Sequence, residues 1–169
     1  LNEDQIGKIF DVIKNHYDLS IIKEITFEAG RPDTINKEKL ICLKSNYVNR
    51  ISINPQTMND NTLLSVGRKH LSCDIVEKYL LAREIGFQTI NMDVILGLPG
   101  EDEADVKNTI EILAGLNPEN ITVHSLAYKK HSELTRESVK LQKDYDLIKK
   151  MHAIIQEVCA KKGYKPYYM

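Results

Sequence analysis

"INMDVILGLPGE", residues 90–101, places an aspartate, Asp93, inside an apolar run that closes on a glycine-proline turn. Side chains in a strand alternate between two faces, and an unpaired buried carboxylate costs several kcal/mol. Asp93 therefore points into a cleft or barrel interior, or sits against a helix, and needs a partner from protein or ligand.

Outward from that strand, read as 89–98, periods of 3.6 and continuous apolar runs alternate along the chain. Downstream come an acidic-starting helix from Glu101 to Leu116, a strand over 120–128 and a helix over 138–162 with Leu147, Ile148, Met151, Ile154, Ile155, Val158 and Cys159 on one face. Upstream, a helix from Ser72 packs Ile75, Val76, Tyr79 and Leu80 and stops at Gly86, and Asn59 or Asp60 opens a short helix to Val66. Pro55 closes a strand over 49–54, Asn36 caps a helix to Leu43, and a strand over 21–29 ends at Gly30-Arg31-Pro32. Asn2 and Gln5 suit a capping box for a first helix over 3–16, with Ile9, Phe10, Ile13 and Tyr17 at helical spacing. Strands separated by helices pair in parallel through right-handed crossovers, and strands this apolar call for cover on both faces. The fold class is α/β, an open doubly wound sheet or part of a barrel.

At 169 residues, 42% hydrophobic and 28% charged, the chain suits one domain. With 23 basic and 24 acidic residues its formal charge is -1, so no overall field draws nucleic acid or an anionic membrane. No apolar stretch is long enough to cross a bilayer, and "LNEDQIGKIF" lacks the order of a signal peptide; a soluble cytoplasmic protein is expected. Cys42, Cys73 and Cys159 are too far apart for metal-ligand spacing and are read as buried structural thiols. A start at Leu1 and an end at "GYKPYYM" suggest a cut piece.

Ligand sites in parallel α/β folds lie at the carboxyl ends of the strands. Glu28, Gln56, Asp93 and Ala127 with Tyr128 fall there. Carboxylates and an amide on one rim suit hydroxyl and ammonium groups better than phosphate. Taken singly, Glu28 reads equally as a turn cap, and Gln56 and Arg68 as loop and surface residues. "GLPGE" alone lacks the nucleotide-binding glycine patterns. His124, inside the fourth strand, reads as a core histidine, and no metal site is expected.

"EITFEAGRPDTI", "NRISINPQTMND" leading into "LLSVGRKH", "AREIGFQTINMDVILGLPGE" and "ITVHSLAYKK" together resemble radical S-adenosylmethionine enzymes of the oxygen-independent coproporphyrinogen III oxidase type, most closely the dehydrogenase-like branch. The resemblance covers nearly the whole chain. It implies a partial (β/α)6 barrel, of which residues 1–169 would be the C-terminal two-thirds of the core, strands three to six. It also implies S-adenosylmethionine and a [4Fe-4S] cluster, although the cluster loop C-x-x-x-C-x-x-C and the G-G-G-T-P segment are not in this sequence.

By the same resemblance, Glu28 and Arg68 would fix the methionine end of the cofactor, Gln56 and Asp93 its ribose hydroxyls, and Ala127 would lie against adenine. Arg31 is a candidate for a substrate carboxylate, since its planar fork fits one. Asn54-Pro55 stands where Gly-Val is commoner, and "KKHSEL" where E-P-G-T is often found. The implied reaction is decarboxylation of porphyrinogen propionates, initiated by a 5′-deoxyadenosyl radical, with a reductant for the cluster as partner. A haem chaperone of related type and an RNA-modifying radical enzyme are the alternatives. The first strand's open edge, with Tyr164, Tyr167 and Tyr168 stripped of packing partners, leads us to expect self-association.

Overall fold

The computed structural model describes residues 1–126 and 145–167. Four strands, β1 (Thr26–Gly30), β2 (Arg50–Gln56), β3 (Thr89–Leu96) and β4 (Asn120–Ser125), form a parallel sheet whose spatial order is the chain order. Helix α1 (Glu3–Lys14) precedes β1, α2 (Lys37–Ser45) joins β1 to β2, and α3 (Asp60–Ser65) and α4 (Ser72–Ile85) join β2 to β3. Helix α5 (Glu103–Leu116) joins β3 to β4, and α6 (Tyr145–Lys161) follows.

The caps form as the residue types dictate. Asn2 and Gln5 make a reciprocal capping box at 2.9 and 3.0 Å. Asn36, Asn59 and Asp102 accept backbone N–H groups at the starts of α2, α3 and α5. Gly86 ends α4 at φ 99°, in the left-handed region.

The apolar residues of the strands, Ile51, Ile53, Ile90, Met92, Val94 and Leu96, bury into one core with Ile6, Phe10, Leu40, Leu43, Leu63, Ile75, Tyr79, Val106, Ile110, Leu113, Met151 and Ile155. Every described α-helix contributes to that core, so the helices lie on one side of the sheet. The opposite face carries Glu28, Ser52, Asn54, Asn91, Asp93, Thr122 and His124, one strand position out of phase. Cover by helices on both faces was the expectation, and it fails here because the second face is polar. His124, expected in the core, is exposed on this face.

Several boundaries differ from the sequence reading for local reasons. β1 begins at Thr26 instead of residue 21, because Asp18 caps a 3-10 turn over Leu19–Ile21 and leaves Ile21 77% exposed. Pro55 does not close β2; it lies in the strand at a register shift between Ile53 and Gln56, a place where its missing N–H costs no ladder bond. α5 starts at Glu103, with Glu101 buried in the preceding loop. On α4 the buried positions are Ile75, Tyr79 and Ala82, with Leu80 exposed; on α1 they are Ile6 and Phe10, with Ile9 exposed and Tyr17 beyond the helix end. Cys73 is exposed rather than buried, and Cys42 and Cys159 are half-buried. Tyr164 has found a partner, its hydroxyl donating to the Pro118 carbonyl at 2.6 Å, and Tyr167, although 73% exposed, accepts from Asn120 Nδ2 at 3.3 Å. The strand end at 127–128, the helix start at 138–144 and Tyr168 lie outside the described residues.

The turn after β3 is tight against α6. Gly97 has φ +79°, and a Cβ there would stand 2.6 Å from Ile148 Cδ1. The Ile148 tip can rotate away, so the left-handed backbone dominates the cost. Gly97→Ala is expected to lose about 1 kcal/mol of stability, read as a lower thermal midpoint.

Candidate functional site

The polar face of the sheet is wired by side-chain hydrogen bonds that run across the strands. Thr122 donates through Oγ1 to Asn91 Oδ1 at 2.7 Å. The Asn91 amide nitrogen donates to Asp93 Oδ1 at 2.6 Å and to Ser52 Oγ at 2.9 Å. Ser52 Oγ donates to Asn54 Oδ1 at 3.2 Å, and Asn54 Nδ2 donates to Glu28 Oε1 at 2.6 Å. Strand register explains the reach: Glu28 pairs with Ser52, Ser52 with Asn91, and Asp93 with Thr122. Among the described residues, Glu28 Oε2 and Asp93 Oδ2 accept no side-chain hydrogen bond.

Gln56 ends β2 at the bulge with φ +70°, a conformation that costs a residue with a Cβ about 1–2 kcal/mol. Its side chain is 6% exposed, and Oε1 is buried with no partner among the described residues. The backbone that follows is pinned to α5. Met58 N–H donates to Thr109 Oγ1 at 3.1 Å, Asn59 Nδ2 donates to Asp105 Oδ1 at 2.7 Å, and the Thr57 hydroxyl donates to Glu101 Oε1. A strained backbone held by surrounding structure leaves one buried amide oxygen without a partner among the described residues.

Arg68 lies in the loop before α4. Its N–H donates to the Leu63 carbonyl at 2.9 Å. Burial, and then the like charge of Arg31, pull its guanidinium below the ordinary arginine value, while Asp33 opposes them. Arg31 and Arg68 are thus electrostatic neighbours, and neither makes an ion pair among the described residues. His70, 1% exposed, sits 3.8 Å from Asp33 through Nδ1, and burial pushes its imidazole below the usual histidine value against the pull of Asp33.

Of the residues expected at the carboxyl ends of the strands, Gln56 ends β2, whereas Glu28 is the third of five residues in β1 and Asp93 the fifth of eight in β3, both on the polar face within the sheet; Arg31 and Arg68 are electrostatic neighbours in the loops after β1 and before α4. Ala127 falls outside the described residues. Sequence reasoning missed Ser52, Asn54, Asn91, Thr122 and the buried Glu101. The signal for the first four was present, as polar residues two apart inside apolar strands.

The radical SAM superfamily signature matches residues 1–113. The chain belongs to the radical SAM superfamily. It is 40% identical over 160 residues to the oxygen-independent coproporphyrinogen-III oxidase-like protein HemZ of Bacillus subtilis, covering 94% of this chain and 32% of that protein. It is 38% identical over 130 residues to the heme chaperone HemW of the same organism, covering 75% of this chain and 33% of HemW. The chain spans about a third of the length of these relatives. Escherichia coli coproporphyrinogen III oxidase, HemN, a radical SAM enzyme, shares its fold with a TM-score of 0.88 at 24% identity, covering all of this chain and 39% of HemN.

Membership of this superfamily implies S-adenosylmethionine and a [4Fe-4S] cluster. The polar face fits the first of these: among the described residues, Glu28 Oε2, Asp93 Oδ2 and the buried Gln56 Oε1 have no side-chain donor and can accept from hydroxyl and ammonium groups. For the cluster the residues do not fit, since Cys42, Cys73 and Cys159 lie on α2, α4 and α6. Among the described residues no group of His, Cys, Asp or Glu could hold a metal ion, and no helix is long and apolar enough to cross a membrane.

Proposed function

We propose that this chain forms the cofactor-holding part of a radical SAM oxidoreductase, the strand three to six portion of its barrel, acting in oxidative decarboxylation of coproporphyrinogen III to protoporphyrinogen IX. The observation that carries the reading is the polar face of the sheet: among the described residues, two carboxylates that each accept one amide N–H and have no side-chain donor on the other oxygen, together with the buried, unpartnered Oε1 of Gln56 at the end of β2. Glu28 and Arg68 would hold the ammonium and carboxylate of the methionine end, Gln56 and Asp93 the ribose hydroxyls, and Ala127 would face adenine. Arg31 would take a substrate propionate. Bound S-adenosylmethionine and a cluster ligated from outside this chain supply the hydrogen-atom abstraction. The chain's own residues orient the cofactor. An external reductant and the porphyrinogen complete the partners, and self-association would run through the unpaired edge of β1 beside exposed Ile21 and Ile22.

A second reading, haem binding by a chaperone, is favoured by an identity to HemW almost as high as that to HemZ. Anaerobic assay of the whole protein under reducing conditions separates them: coproporphyrinogen consumption supports the oxidase, and haem binding without consumption supports the chaperone. The cofactor site has its own test. Asp93→Asn is expected to weaken S-adenosylmethionine binding by roughly tenfold, the scale of a hydrogen bond to a charged group, with an unchanged thermal midpoint. Wild-type affinity combined with a collapsed midpoint would show that Asp93 serves the fold.

A further inference from the structure

We infer that Asn91 is a positioning residue for Asp93, and that Ser52 and Asn54 extend the same device to Glu28, so that side chains from three strands present the two carboxylates as one preset unit. The inference rests on the cofactor reading of the polar face and deepens it, since Asn91, Ser52 and Asn54 face one another and the carboxylates rather than a ligand.

The polarity of the chain of bonds is the argument. An ionised carboxylate only accepts, so each end of the chain must receive an N–H. At one end Asn91 turns its amide nitrogen to Asp93 at 2.6 Å; at the other Asn54 does the same to Glu28 at 2.6 Å. Between them the second Asn91 N–H goes to Ser52 Oγ, which frees the serine hydrogen for Asn54 Oδ1. Thr122 fills Asn91 Oδ1 from β4. Each bond therefore fixes the orientation of the next amide, and a flip of either asparagine amide would set an oxygen against a carboxylate. Asn91 is 7% exposed and Ser52 4%, so water cannot readily replace the lost bonds. One oxygen of each carboxylate is taken by an amide, which fixes the direction of the other. A ligand meeting that other oxygen does not have to order it first.

The test is a double-mutant cycle on S-adenosylmethionine affinity, by anaerobic titration calorimetry with the whole protein. Asn91→Ala should weaken binding roughly tenfold, and in the Asp93→Asn background its effect should shrink to the smaller share that reaches Glu28 through Ser52 and Asn54. Combined with Arg68→Gln, which lies outside the hydrogen-bond chain, the effect of Asn91→Ala should multiply in full. A merely destabilised fold would instead multiply in full in both backgrounds. Wild-type affinity in Asn91→Ala, or effects that multiply in full with Asp93→Asn, overturns the inference and leaves the polar-face reading intact. Wild-type affinity in Asp93→Asn overturns the polar-face reading itself. If Asn91→Ala does not fold, Thr122→Val removes only the hydroxyl that donates to Asn91 and keeps nearly the same volume; it should weaken binding several-fold, again with a smaller effect in the Asp93→Asn background, and a full effect there overturns the inference.

Discussion

Replacing Arg83 with alanine is expected to lower the unfolding free energy by about 3 kcal/mol while leaving cofactor affinity unchanged. Arg83, in the last turn of α4, gathers the loops that lead into β3 and β4. Its Nε donates to the Tyr79 hydroxyl at 2.8 Å, and Nη1 donates to the Phe87 and Gln88 carbonyls at 3.1 and 2.9 Å. Nη2 reaches the Asn117 carbonyl at 3.1 Å and both Glu119 oxygens at 2.8 Å. Glu119 in turn accepts Ile90 N–H at 2.9 Å, and the Tyr79 hydroxyl donates to the Leu116 carbonyl. Burial would lower the guanidinium, but the bonds from Glu119 and Tyr79 prevail and hold it above the ordinary arginine value. The planar fork makes these contacts together, so Arg83→Lys should recover only part of the loss. The cluster sits at the amino ends of β3 and β4, remote from the rim, and this end of a parallel barrel serves stability. Urea unfolding, alongside titration with S-adenosylmethionine, checks both halves of the expectation.

Glu101→Gln should raise the thermal midpoint at pH 8 and leave it almost unchanged near pH 4.5. Glu101 is 7% exposed, and burial, with Asp105 and Asp102 adding to it against the Thr57 and Thr62 bonds, pushes its carboxyl from 4.5 to about 7. Between those values the folded state holds a proton that the unfolded chain has released. Stability from this group is therefore complete below about 4.5, falls as pH rises and is lost above about 7. Discounted for solvent screening, the loss is about 2 kcal/mol, or a midpoint difference of about 4–8 °C. His70 acts in the opposite sense, since its depressed imidazole favours folding above 6.5 and is penalised below. Comparing Glu101→Gln with the parent at each pH cancels that contribution. An equal midpoint difference at pH 4.5 and pH 8 would mean that the carboxyl does not titrate with folding. Glutamine keeps an acceptor for Thr57, so the loop after β2 should stay pinned to α5.

The alternation of strands and helices was legible because its causes are local: Asn2, Asn36 and Gly86 sit where caps must, and the apolar periods are strong. That Asp93 needs a partner was legible for a similar reason, as a charge in an apolar run calls for one; that Asn91 supplies it on the same face was not. The start of β1 was not, because Ile21 and Ile22 look like strand residues and only pairing with β2 decides which part of the run joins the sheet. Pro55 misled because a bulge, which depends on the partner strand, removes its usual penalty. Glu101 looked like an acidic helix start; its burial depends on Thr57, 44 positions away in the chain. Asn91 and Ser52 gave a period-two signal, but their roles arise only from cross-strand register. In each case what escaped was a contact made by tertiary structure.

The order β1-β2-β3-β4 in space repeats the order in the chain. Each new strand is laid against the one completed just before it, Ile51 onto Phe27, Ile90 onto Ile51, and Ile121 onto Met92. No strand has to wait for a partner made later and slipped between two others. During synthesis, as the chain leaves the ribosome from its amino end, β2, β3 and β4 each meet a finished template, and the sheet can grow vectorially at one margin. Each pairing still spans a crossover, Thr26 to Arg50, Arg50 to Thr89 and Asn91 to Asn120, so loop closure precedes every contact and makes this sheet slower to form than a bundle of helices.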